Sequence, residues 1–233
     1  MEILPINILK RIAKYEDVEY AGLTLCPVRV EDYDDFLISK AALEVMHQSL
    51  GLKYMRMPLL SALYAIDYDA VSNGQAASGL FSKALLGLAL SLRLGEGQSP
   101  EERLGAFRIA VDREKPEKLL RLMFTDKDAA SKEITPAQYQ TIRQIIARQN
   151  GVSIEDETAN PEIVKSKRDI QNSGASRLDA TPDKLISIVA ALSGTDEIEI
   201  YNWPIMKLEK YAANYERILS YIVCGVGEMS GAT

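Results

Sequence analysis

The stretch Ile205-Met206-Lys207-Leu208-Glu209-Lys210-Tyr211-Ala212-Ala213-Asn214-Tyr215-Glu216-Arg217-Ile218-Leu219-Ser220-Tyr221-Ile222-Val223-Cys224-Gly225-Val226 carries the clearest pattern in this 233-residue chain. Ile205, Leu208, Ala212, Tyr215, Leu219, Ile222 and Val226 recur at alternating steps of three and four, which puts them on one seam of an α-helix. Tyr211, Ile218 and Val223 widen that seam. So broad a stripe has to be covered, by the rest of the chain or by a partner. It fits a core or assembly helix better than a bare two-stranded coil.

Upstream of this helix, Pro204 follows Ile200-Tyr201-Asn202-Trp203 and breaks the chain. Asp196 with Glu199 makes a box-like helix start, and Thr181-Pro182 opens another helix that stops at Gly194. Residues 155–157 and Asn160-Pro161 mark a loop, with a short helix to about Asn172 and a soft stretch at 173–176. Ile134-Thr135-Pro136-Ala137-Gln138-Tyr139 is a well-formed helix start: Thr135 caps, Pro136 takes the first helical position, Gln138 completes a box and Ile134 staples to Tyr139. That helix is expected to end at Asn150-Gly151 with a left-handed cap.

The texture changes before it. Phe107, Ile109 and Val111 alternate with Arg108, Ala110 and Asp112, and the apolar run 119–125 follows the loop around Pro116, which predicts a β-hairpin. Earlier still, residues 79–94 and 59–68 predict helices, the latter opened by Pro58, and 31–49 predicts a helix closed by Gly51. Residues 20–30 lean towards strand, with Pro27 at an edge position, while 3–12 reads as a short strand, a turn or a helix. The expected class is α+β, predominantly helical with a small β element. Residues 95–100 (Gly-Glu-Gly-Gln-Ser-Pro) form the clearest linker, dividing 1–95 from 96–233 unless the whole chain is one domain.

Charge and composition narrow the function classes. The 27 basic against 33 acidic residues give a net charge of −6, and the signs alternate in the last helix. Gripping a nucleic-acid backbone needs clustered Lys and Arg, so nucleic acid is not an expected partner. Cys26 and Cys224 lie far apart without zinc-ligand spacing, beside apolar neighbours, and fit buried thiols in a reducing cytoplasm. The N-terminal residues lack the basic start and apolar run of a signal peptide. Residues 80–94 are too short and too interrupted for the roughly twenty residues of a membrane span, and read as a buried helix in a soluble protein.

No catalytic centre stands out. His47 is the only histidine, so neither a two-histidine metal site nor a His-centred triad is supported. Asp67-Tyr68-Asp69 has the form of an Asp-x-Asp pair for magnesium or manganese, but no phosphate-binding loop follows, and solvated carboxylates at a helix end are the simpler reading. The acidic run 31–35 is read as a helix N-terminus. Neither a nucleophile-elbow motif nor a Gly-rich nucleotide loop occurs, so no metal, cofactor or catalytic residue is expected. Trp203 either plugs a helix–helix corner or anchors a partner.

Three blocks together carry a resemblance: Tyr54-Met55-Arg56-Met57-Pro58-Leu59-Leu60-Ser61-Ala62-Leu63-Tyr64; the start at Ile134-Thr135-Pro136 with the end at Gln149-Asn150-Gly151; and Tyr201-Asn202-Trp203-Pro204 with Glu228-Met229-Ser230-Gly231. In this order the chain resembles tail-region proteins of phages and prophages of Gram-positive bacteria, similar in role to tail assembly chaperones. The resemblance implies a non-enzymatic protein of the host cytoplasm that binds the helical tape-measure protein and yields to tail-tube subunits. It supplies no catalytic residues. It also implies that longer members continue past the last block, so that a chain stopping at Thr233 would be a truncated form or the shorter product of a frameshift. The expected partner surface lies on the last helix, at Trp203, Leu208, Tyr215, Leu219 and Ile222, with self-association as a further expectation. The rival readings are a baseplate or neck component of the virion, and a metal-dependent enzyme using Asp67 and Asp69.

Overall fold

The computed structural model describes residues 4–126, 129–154 and 181–229, the last nine of these as backbone only. The chain is a helix-dominated α+β structure with two small antiparallel sheets. Helix α1, Ile6–Ala13, resolves the open reading of the N-terminal residues: Pro5 stands just before it, where a missing N–H costs nothing, and Ile8 and Ile12 face the core. Strands β1, Val18–Tyr20, and β2, Leu23–Leu25, form a hairpin whose two turn residues, Ala21 and Gly22, both have positive φ (51° and 75°). Two such residues are what a tight turn compatible with strand twist requires.

Pro27 lies beyond these strands, in an extended strap that runs from the end of β2 at Leu25 to a 3₁₀ turn at Val30 and belongs to neither sheet over residues 26–29. Leu25, Val28 and Val30 are buried in it, so its main-chain groups need partners other than water. The Cys26 N–H donates to the Ser91 carbonyl (2.8 Å), and the Ser91 hydroxyl donates back to the Cys26 carbonyl (3.1 Å). The Gln149 amide donates to the Leu25 carbonyl (2.9 Å), and the Val28 N–H donates to Asn150 Oδ1 (2.9 Å). Two further bonds, from Val30 N–H to the Trp203 carbonyl (2.9 Å) and from Ile205 N–H to the Val28 carbonyl (3.0 Å), stitch the strap to the start of the last helix.

The helix expected over 31–49 is shorter. A 3₁₀ turn at Val30–Asp32 leads into α2, Tyr33–Leu43, and a second 3₁₀ turn covers His47–Leu50. The buried Arg143 ends α2, donating from Nε to the Leu43 carbonyl (2.8 Å) and from Nη2 to the Val45 carbonyl, so these carbonyls are satisfied without another helical turn. Helix α3, Leu59–Ser72, runs past its expected end, and Pro58 caps it from outside rather than filling its first position. Helix α4, Leu80–Ser91, is buried on nearly every face and crosses α2 closely: a Cβ on Gly87 would sit 3.4 Å from Ser39.

The expected linker turns directly into α5, Pro100–Leu104, which Ser99 and Glu102 open with a capping box. Its Arg103 is buried and pairs with Asp32 at 2.6 Å, and a single apolar cluster contains residues from both sides of the turn. The expected hairpin is two strands of three: β3, Arg108–Val111, β4, Leu119–Thr125, and β5, Ser131–Ile134, in that order. Helix α6, Pro136–Gln149, has the expected Thr135–Gln138 box, and Gly151 follows it at φ 70°. Helix α7, Pro182–Ser193, stops at a left-handed Gly194 as expected. Before α8, Glu197–Tyr201, Asp196 caps the Ile198 N–H. The last helix, α9, is Ile205–Met229. The loop and short helix expected between 155 and 172, and the stretch 173–176, lie outside the described residues.

Removing either buried amide from the strap leaves main-chain groups unpaired, at about 1–3 kcal/mol each. Gln149→Ala and Asn150→Ala are therefore expected to lower the unfolding free energy from urea titration by that much, with a lower midpoint, while keeping native helicity. Midpoints unchanged from wild type would show that the strap is not held as described.

Candidate functional site

The seam of α9 divides into two parts. Ile205 and Leu208 are fully buried, and Ala212 and Tyr215 are half-buried against a small second cluster formed by Val30, Ile186, Val189, Ile200, Trp203 and Leu208. Further along, Ile218 is 52% exposed and Leu219 47% exposed. Trp203 is buried at the α8–α9 corner, its ring 5.1 Å from that of Tyr211, with Lys207 Nζ 3.5 Å from its centroid. Desolvation there pushes the Lys207 ammonium below its ordinary pKa, against the opposing pull of Glu199. Of the five expected contact residues, then, Leu208 and Trp203 lie beneath the helix, Tyr215 is at its edge and Leu219 is open to solvent. The Ile222 side chain is outside the described atoms.

Beside the half-buried part runs a groove of about 470 Å³. Tyr33, Phe36, Leu37 and Lys40, at helical steps along α2, make one wall. Met206, Glu209, Ala213 and Glu216, at helical steps along α9, make the other. The groove therefore follows the axes of both helices, with apolar residues in it and two charges of each sign among Lys40, Lys210, Glu209 and Glu216. The α2 wall was missed in the sequence, although a signal existed. Phe36-Leu37-Ile38 is a consecutive apolar run, which no helix can turn to one side; Phe36 is buried and Leu37 and Ile38 are exposed.

The two aspartates of Asp-x-Asp have separate structural work. Asp67 caps α4, its carboxylate accepting from the Ser78 hydroxyl (2.6 Å) and from the Gly79 and Phe81 N–H groups (both 3.1 Å). Asp69 accepts from the Tyr54 hydroxyl (2.6 Å) and from Lys53 Nζ, and these bonds hold its carboxyl below the usual range. His47 Nε2 lies 3.3 Å from the Tyr54 carbonyl. Among the described residues no three His, Cys, Asp or Glu side chains cluster as a metal site, and no helix is long and apolar enough to cross a membrane. Burial pushes the Tyr139 hydroxyl up to about 12 despite nearby Arg143; it is a core residue of α6 and does not line the groove.

No protein-family model, curated protein or solved structure matches this chain.

Asp67→Ala is expected to cost about 1–2 kcal/mol through the lost cap, with a melting temperature equally indifferent to magnesium and manganese before and after the change. A metal-dependent shift in the wild type that vanishes in the variant would contradict this assignment. Asp69 titrates lower in the folded chain than its ordinary 3.8, so its contribution is complete above that value and is lost as pH falls through the folded value. Asp69→Asn should accordingly flatten the acid limb of stability against pH. An acid limb identical to wild type would rule the contribution out.

Proposed function

We propose that this chain is a non-enzymatic tail assembly chaperone of the kind encoded by phages and prophages of Gram-positive bacteria, acting in the host cytoplasm. In this reading it holds helical segments of the tape-measure protein during tail morphogenesis and gives way to tail-tube subunits. The observation that carries the reading is the α2–α9 groove, a channel of mixed apolar and charged lining, with the apolar Ile218 and Leu219 uncovered further along α9. An amphipathic client helix offers such a channel both an apolar face and charged flanks, to meet its apolar and its charged lining residues. Leu219 and Tyr215 contact the client, with Ile222 next on the same seam; Leu208 and Trp203 hold the helix in place from beneath.

Co-expression with the tape-measure protein encoded nearby, followed by pull-down and light scattering, tests this. A soluble stoichiometric complex is expected. Leu219→Asp should weaken it at least about tenfold, a change near 1.4 kcal/mol, and leave thermal stability intact because Leu219 is exposed. Failure of the folded wild-type chain to bind would refute the chaperone reading. Finding the chain in purified particles would then favour a virion component.

A further inference from the structure

We infer that two copies of this chain pair edge to edge through β3, antiparallel about a two-fold axis at Ala110. At the β5 edge of the sheet the Lys132 ammonium donates to the Gly22 carbonyl (3.1 Å), which brings the β1–β2 turn against it. β3 is the other edge, and no group among the described residues bonds to its outer side. Which groups face outward follows from strand geometry. The Asp112 N–H donates to the carbonyl of Lys118, just ahead of β4, at 3.0 Å. Main-chain groups alternate in direction along a strand, so Arg108 and Ala110 also bond inward, while Ile109 and Val111 present their N–H and C=O to solvent. Ile109 is 43% exposed although its cross-strand partner Leu122 is fully buried. Paired residues share a face, so Ile109 is uncovered from the side, at the open edge.

The edge is self-complementary about Ala110. Antiparallel pairing there sets Ile109 of one copy opposite Val111 of the other, Arg108 opposite Asp112, and Ala110 opposite its counterpart. Ile109 and Val111 then exchange their outward N–H and C=O groups, and every open group of the edge is satisfied. A slip of one residue would set outward groups against inward ones. Charge favours the same register. Arg121, diagonal to Arg108 on the same face of β4, already holds Glu133 at 2.9 Å, and among the described residues no carboxylate pairs with Arg108. The Asp112 carboxylate accepts from the Glu114 N–H (2.9 Å) and lies 3.8 Å from the exposed Lys118 ammonium, a surface pair too weak to withhold it. Across the two-fold, Arg108 and Asp112 of each copy meet their opposites, the favourable case for residues directly opposed on neighbouring strands. The arrangement is closed, and it joins two three-stranded sheets into one of six strands. It uses none of the residues of the α2–α9 groove, so pairing and client binding are separate properties of the chain.

Sedimentation of the purified full chain without any client tests the inference. The wild type is expected to be a dimer that dissociates on dilution. Val111→Pro removes an outward N–H that bonds nothing within the chain, so it should leave the fold intact and raise the dissociation constant at least about tenfold. Arg108→Asp should weaken the dimer as much, by setting like charges opposite each other. Mixed with folded Asp112→Arg, it should recover a heterodimer of near wild-type affinity, because both cross-copy pairs again join opposite charges. A monomeric wild type, a dimer indifferent to Val111→Pro, or a mixture of the two folded charge variants that fails to recover the pair would each overturn the inference.

Discussion

The fold depends on satisfying the backbone of one buried strap. Residues 26–29 run in extended form between β2 and the 3₁₀ turn at Val30 without joining a sheet, and an unpaired buried amide or carbonyl costs about 1–3 kcal/mol. Partners therefore have to come from wherever the chain can bring them. Ser91 stands at the end of α4, Gln149 and Asn150 at the end of α6, and Trp203 and Ile205 at the entrance to α9. Each of these bonds fixes the end of a helix to the same short segment. The strap sets where α9 begins, and the packing of Leu208 and Trp203 on Val30 sets how it leans.

The opposite wall of the groove is positioned by buried charge. Arg143 terminates α2 at its C-terminal end, and Arg103 reaches Asp32 just ahead of its N-terminal end, with Asp35 3.9 Å away. Burial raises the Asp32 carboxyl above its ordinary pKa, and the attraction of Arg103 only partly offsets this. Desolvation that outweighs Coulomb attraction is typical of a buried pair that locates its elements more than it stabilises them. With both ends of α2 pinned this way and α9 held by the strap, the groove is a consequence of polar groups being satisfied on either side of it.

This explains what could be read from the sequence. The Thr135-Pro136 start, the stops at Gly151 and Gly194, and the break at Pro204 are local devices, in which a residue acts within a few positions of itself, and all occur in the structure. The helix-dominated α+β class follows from them. The end of α2 was misplaced because its cause, Arg143, lies 100 residues downstream of Leu43. The strap read as strand because its residues are β-leaning, yet its partners are side chains and the ends of helices instead of a neighbouring strand. Strand β5 went unseen because Ser131-Lys132-Glu133-Ile134 has one apolar residue and pairs with β4 through its backbone. Within the candidate site, the seam of α9 was legible, but which of its residues are buried was not, since that depends on where α7 and α8 lie against it.

Native-state hydrogen exchange at the amides of Val28, Val30 and Ile205 is the most direct test that the groove is a fixed, preformed surface. If the strap binds α9 to the body, these three amides exchange only through global unfolding, with the same free energy as core amides of α4. Exchange at Val30 and Ile205 by a smaller, local opening would mean that α9 detaches while the rest stays folded, and the account of the groove as a standing feature would be wrong.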